Sequence, residues 1–309
     1  LALVAPAPAP AIFSSATGGR NIRVQPLLQR WFAVLAPTAH RIFQEENELR
    51  VIAIVLALTA FCVRAAPFAY IPAFLGNTVT IIDTATQSIV ATPAVGNGPA
   101  GVAISADGTR VFVPNKGSND VTVMTATGTV LATIPVGAGP EAAAFDRASN
   151  RVYVTNGIDN TVSAIDAATL TVIATIPVGN FPRGIVVNPA STTSRVYVAN
   201  FNDGTISVID SSLAVSTTIT LAGGSTPLGL ALNPSGSLLL AADTNANTVD
   251  RFATATNTPA GSYFMAVSSG PTAVVVDHSG THAYVTNSIS NLVVGFDLTT
   301  NTQSFSRGF

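Results

Sequence analysis

The stretch VYVTNGIDNTVSAID at residues 152–166 decides how this chain is read. Two short runs rich in Val, Ile, Thr and Tyr flank a Gly-Ile-Asp-Asn loop, which is two strands joined by turn-forming residues. Related lines begin at Phe68 (FAYIPAFLGNTVTIID), Val111 (VFVPNKGSNDVTVMT), Val196 (VYVANFNDGTISVID), Leu238 (LLLAADTNANTVDRFA) and Ala283 (AYVTNSISNLVVGFD). The aligned loop residues Asn77, Asn119, Asn160, Gly204, Asn247 and Asn291 step by 42, 41, 44, 43 and 44. A second line precedes five of the six units, GPAGVAIS, GPEAAAFD, FPRGIVVN, TPLGLALN and GPTAVVVD, with prolines at 99, 140, 182, 227 and 271. Four strand candidates per period of this size predict an all-β fold, a β-propeller of four-stranded blades, with six repeat units visible.

In such a fold the strand after each proline lines the central channel, where blades converge. The residue two past each proline is Gly101, Ala142, Gly184, Gly229 or Ala273, small as that crowding requires. Turns fit as well: Asp107-Gly108, Ser235-Gly236 and Ser279-Gly280 fall between first and second strands. Charged residues are only 10% of the chain, because most strand faces pack on a neighbouring blade instead of meeting water.

The VYVTN at 152–156, VYVAN at 196–200 and AYVTN at 283–287 resemble the YVTN-family β-propeller repeat. The lead-in glycine and proline (Gly96 to Pro99, Gly137 to Pro140, Gly179 to Pro182) and the ATIPVG-like fourth strands at 132–137 and 174–179 carry the same resemblance. It covers residues 68–309 and implies a propeller, typically seven-bladed, often exported, in a group that includes lactonase-like proteins. Against that expectation the count does not close. The first unit has no clear first strand, whose place in phase is near residues 57–63, and the sixth has a weak fourth strand at 302–307. The expectation is a ring truncated from seven blades; the alternative is six blades with VLALTAF or an edge contact as the missing strand.

Residues 1–65 differ in composition. They hold six Arg and three Glu, leaving the rest at a formal charge of −5. Residues 1–49 read as a low-complexity, unstructured extension from an over-extended start, opening on the Pro/Ala run LALVAPAPAP. Residues 50–65 read as a signal peptide or signal anchor: Arg50, the thirteen-residue apolar run VIAIVLALTAFCV, then a cut between Ala65 and Ala66. Thirteen residues are short of the roughly 20 needed to span a bilayer. Residues 66–309 are the propeller. The expected location is therefore outside the cytoplasm, periplasmic or cell-surface, with membrane contact only through the apolar segment if it stays uncleaved.

A net charge of −2 argues against a nucleic-acid binder, and the single Cys62 excludes an intramolecular disulfide or a Cys-based zinc site. Few residues could carry chemistry. Glu141 and Arg183 each follow the lead-in proline of adjacent units, so both fall near one rim of the channel and form the candidate ligand-binding spot. No catalytic residue, metal ligand or cofactor is assigned. His278 and His282 fall in a surface hairpin. Asp120, Asp159, Asp203, Asn160 and Asn202 read as turn formers, since a calcium loop would converge about 6–8 oxygens on one ion. Asp83, Asp166, Asp210 and Asp297 read as anchors of the turn to the fourth strand, and the Asn of Tyr-Val-x-Asn as a cap for backbone groups. The function expected is an exported module or cell-envelope scaffold that binds a protein or small-molecule ligand without evident catalysis. The alternative is a lactonase-like hydrolase acting at the channel rim, and a redox or cofactor enzyme ranks third.

Overall fold

The computed structural model describes residues 2–3, 68–190, 194–265 and 269–308. They form six antiparallel four-stranded sheets set as blades in a ring, a six-bladed β-propeller without a helix among the described residues. Blade 3 shows the plan: Pro140–Asp146, Arg151–Asn156, Thr161–Asp166 and Thr171–Pro177, hydrogen-bonded in sequence order from the centre outward. Each repeat unit read from the sequence becomes one blade. In all six, the register between third and fourth strands shifts at the same place, for example between Ala164 and Ile165 in blade 3 and between Gly295 and Phe296 in blade 6. Such a bulge adds local twist, which a radial sheet needs.

Blade 1 takes its first strand from a distant part of the chain. Ala2–Leu3 pairs antiparallel with Phe68–Ala73, Ala2 opposite Tyr70 and Leu3 opposite Ala69. The segment at 57–63 expected to fill this place, and the signal segment at 50–65, lie outside the described residues.

Five apolar clusters hold the ring, each between consecutive blades. Between blades 3 and 4, Tyr153, Val162 and Ala164 meet Ile185, Val196 and Val198. Between blades 2 and 3, Phe112, Val121 and Val123 meet Val152, Val154 and Ile165. In blades 1 to 4 the face carrying the motif aromatic, Tyr70, Phe112, Tyr153 or Tyr197, thus packs on the opposite face of the next blade, and in blade 5 Leu240 takes that place. Tyr70 fits the scheme in blade 1; its hydroxyl reaches the Ala126 carbonyl of blade 2 at 2.8 Å, and burial pushes it up to about 12. Among the described residues no cluster joins blade 6 to blade 1. On the free face of blade 6, Tyr284 is half-buried and Val275 is 55% exposed, whereas Tyr153 and Tyr197 in the interior are fully buried.

At the centre the small residues do what the sequence required. A Cβ on Gly101 would lie 2.8 Å from the Glu141 carbonyl oxygen, and one on Gly229 would lie 2.7 Å from that of Thr272. First strands of adjacent blades therefore approach backbone to backbone.

Candidate functional site

Blades 1, 2, 3 and 5 are each tied to the next by the Asn of the loop between their second and third strands. The loop Asn sits in the left-handed region, at φ 53° in Asn77, 59° in Asn119 and 58° in Asn160. Its side-chain oxygen accepts the N–H of the next blade's lead-in: Asn77 from Gly98, Asn119 from Gly139 and Asn160 from Phe181, at 2.8–2.9 Å. The loop acids brace the same junction, since Asp159 and Asp203 accept the N–H groups of Ala138 and Asn180 at 2.7 Å. Their carboxylates are thus committed to separate blades. The turn-anchoring acids behave as read: Asp83, Asp166 and Asp297 accept the N–H groups two and three residues on. The Asn of the Tyr-Val-x-Asn motif does not cap backbone groups as expected. Its Nδ2 donates to side-chain hydroxyls of the third strand, Asn156 to Thr161 at 3.0 Å and to Ser163 at 2.9 Å.

This scaffold brings Glu141 and Arg183 together at the rim. Arg183 Nη1 lies 2.9 Å from Glu141 Oε2, and Lys116, from the blade 2 loop, engages Glu141 Oε1. The carboxylate is the covered partner, its side chain 10% exposed, while both cations are 32% exposed. The cluster carries two positive charges and one negative, with the positive groups outermost. Aromatic rings wall it. The Arg183 guanidinium is 4.5 Å from the centre of the Phe181 ring and 5.5 Å from that of Phe201, and those two rings meet edge-on at 6.3 Å. Lys116 Nζ is 5.9 Å from the Phe181 ring, and Arg183 Nε is buried without a hydrogen-bond partner.

Phe181 is the unusual member. Gly98, Gly139 and Gly270 precede the lead-in prolines of blades 2, 3 and 6 with φ of 65°, 67° and 58°. Blade 4 keeps that backbone, φ 54°, but places a phenylalanine on it. A bulky residue there is strained, and such strain persists where the surroundings hold it and concentrates at functional sites. Sequence reading singled out Glu141 and Arg183, which the structure brings together, but not Lys116, Phe181 and Phe201 beside them. The available signal was the tetrapeptide Gly179-Asn180-Phe181-Pro182 beside Gly137-Ala138-Gly139-Pro140.

Elsewhere the polar groups serve the turns. His282 Nδ1 sits 3.3 Å from Asp277 Oδ2 and 2.9 Å from Thr281 Oγ1 in the blade 6 hairpin that also contains His278. Burial would push the Asp277 carboxyl up, but hydrogen bonds from Ser279, His282 and Thr281 outweigh it and hold it well below the carboxylate range. On the opposite side of the ring, a shallow cavity of about 370 Å³ is lined by Ser105, Asp107, Arg110, Phe145 and Ala167. Asp107 is occupied there by Ser105 and Thr109, and Arg110 by the Ala167 carbonyl. Among the described residues, no three His, Cys, Asp or Glu side chains gather in metal-binding geometry.

A radial all-β ring of four-stranded blades defines the class, a β-propeller, and the Glu141, Lys116 and Arg183 cluster lies at one rim of its described part. Residues 141–307, more than half of the chain, match the family described as YNCE-like beta-propeller, and the chain belongs to that family. Solved structures agree on the fold. The hydrazine synthase of Kuenenia stuttgartiensis superposes with a TM-score of 0.69 at 19% identity, over 75% of this chain and 73% of that one. Virginiamycin B lyase from Staphylococcus aureus gives 0.68 at 15% identity, over 79% and 82%. A streptogramin B lyase gives 0.68 at 14%, over 78% and 79%. No relative was found among curated protein sequences.

Proposed function

We propose that this chain is an exported propeller that binds a ligand or protein partner through an acidic group docked on Lys116 and Arg183, with no catalytic step assigned to the site. The observation that carries this reading is Phe181, held in a left-handed backbone against the Arg183 guanidinium where blades 2, 3 and 6 use glycine. A structural ion pair needs no such strain, whereas a recognition surface gains from a fixed guanidinium. The outermost groups are cationic, so an anionic partner fits. The lactonase-like alternative would need an acid free to move a proton. Both Glu141 oxygens are engaged, one by Lys116 and one by Arg183, which favours a structural carboxylate. Export rests on the apolar run and small residues at 50–65.

Calorimetric titration of the full chain with citrate and with a glutamate-rich peptide tests the binding reading. At least one should bind, weaken in added salt, and weaken about tenfold or more in R183A, the loss of one charge-assisted hydrogen bond. Equal affinity in wild type and R183A refutes it. Lactone hydrolysis that disappears in E141Q would establish the hydrolase instead. For export, the full chain expressed in a bacterium should be recovered outside the cytoplasm, either cut between Ala65 and Ala66, which takes the Ala2–Leu3 strand from blade 1, or anchored uncut by the apolar run; retention of the intact chain in the cytoplasm contradicts it.

A further inference from the structure

Blade 5 breaks a side-chain pattern that blades 2, 3 and 4 share. In those blades the Asn closing the second strand is fully buried, and its Nδ2 donates to a hydroxyl seven residues on. Asn115 reaches Thr122, Asn156 reaches Ser163 and Asn200 reaches Ser207, each at 2.9 Å. In blade 5 the Asn is Asp243 and the hydroxyl residue is Asp250. The register is unchanged: Asp243 opposes Thr248 and Ala241 opposes Asp250, as Asn200 opposes Thr205 and Val198 opposes Ser207. The register thus sets two carboxyls in the places where the other blades pair a donor with an acceptor.

Asp243 is 0% exposed. Its Oδ1 accepts the N–H groups of Thr226 at 2.9 Å and Ala246 at 3.2 Å, while Oδ2 is buried without a hydrogen-bond partner. Asp250, half-buried, accepts Ser262 Oγ at 2.6 Å and Thr248 Oγ1 at 3.1 Å. The surrounding charges are committed elsewhere. Arg251 alternates to the opposite face of the sheet, where it stacks on Tyr263 and donates to Asn301. Blade 4, packed on the carboxyl face, carries Arg183, Arg195, Tyr197, Asp203 and Asp210. Arg183 pairs with Glu141, Arg195 donates to the Thr254 carbonyl and Tyr197 to Asn257. Asp203 accepts from Asn180 and Asp210 from Ser212. Pro227–Leu232, the first strand of blade 5, has no ionisable side chain.

We propose that Asp243 and Asp250 form one proton-binding site, a carboxylic acid hydrogen-bonded to a carboxylate, with the proton held between Asp243 Oδ2 and the Asp250 carboxyl. Two ionised carboxylates side by side in a poorly hydrated seam repel each other, and one shared proton converts that repulsion into a hydrogen bond. Burial pushes the Asp250 carboxyl up; hydrogen bonds from Ser262 and Thr248 oppose this, and the neighbouring Asp243 charge adds to the rise. A carboxyl raised above its unfolded value contributes stability that is present at low pH and is lost as pH rises through the raised value. The site therefore acts as a latch on blade 5 that loosens towards alkaline pH.

The test compares melting of the full chain with D250S, the residue of blades 3 and 4 at this place, and D243N, which restores the Asn donor. Subtracting wild type from variant cancels the other carboxylates. Each variant should gain relative to wild type between pH 4 and pH 8, by about 3–6 °C for every tenfold rise in proton affinity removed. Unchanged pH slopes in both variants overturn the proposal. So does a wild-type melting point at pH 8 that rises with calcium chloride while the variants' do not, since the carboxylates would then hold a cation. If a variant does not fold, infrared difference spectra of wild type decide. A protonated carboxyl band that persists above the ordinary carboxyl range supports the shared proton, and its absence overturns it.

Discussion

Replacing Phe181 separates backbone strain from ring contact. Its φ of 54° lies where a side-chain-bearing residue costs about 1–2 kcal/mol more than in the right-handed region. Its ring contributes a cation–π contact with Arg183, worth about 0.5–1 kcal/mol, and an edge-on pair with Phe201, worth about 0.5–1.5 kcal/mol. F181A loses the ring and keeps the strain. F181G loses the same ring and relieves the strain, but its freer unfolded chain takes back about 0.5–1 kcal/mol. F181G should therefore be more stable than F181A by roughly 0.5–1 kcal/mol, about 1–4 °C in melting temperature for a body of this size. Both should bind the acidic probes more weakly than wild type, because Arg183 loses the ring that fixes it. The assay is paired thermal melts and titrations of the three chains. An F181A chain that melts at or above F181G would refute the strain, and with it the argument that Phe181 is retained for recognition.

The missing packing on blade 6 should show in truncations. Y153A, in a fully buried inter-blade position, should cost about 3–5 kcal/mol in denaturant unfolding, while the half-buried equivalent Y284A costs much less; equal losses would mean that blade 6 is covered in solution. Asp297 is held down to about 2 by hydrogen bonds from the Thr299 hydroxyl and the Thr300 and Thr299 N–H groups. A depressed carboxyl contributes stability that is present above its unfolded value and lost as pH falls towards the folded one, so D297N should lessen the fall in melting temperature between pH 5 and pH 3. An unaltered acid profile would contradict that role.

The repeat made the architecture legible because every blade solves the same packing problem with the same residue types. The lead-in prolines and the small residues after them fixed where first strands lie, and hence that Glu141 and Arg183 would meet. Lys116 was hidden because its loop position is Gly157 in blade 3 and Phe201 in blade 4, so no pattern marks it. Phe181 was hidden because its meaning lies in a dihedral angle. The motif Asn was misread as a backbone cap because its hydroxyl partners stand on the next strand, which only register reveals. Blade 1's first strand could not be read locally, since Ala2–Leu3 is more than sixty residues from the strand it joins. The Asp243–Asp250 pair was visible as LLLAAD against VYVTN, but its consequence needed the same register.

The claim that the rim cluster is the recognition site is tested most directly by mapping backbone amide shifts of the full chain during citrate titration. Saturable changes should centre on Lys116, Glu141, Phe181 and Arg183 and vanish in R183A. Changes confined to the opposite side, around Ser105, Asp107 and Arg110, or none at the rim at saturating probe, would contradict it.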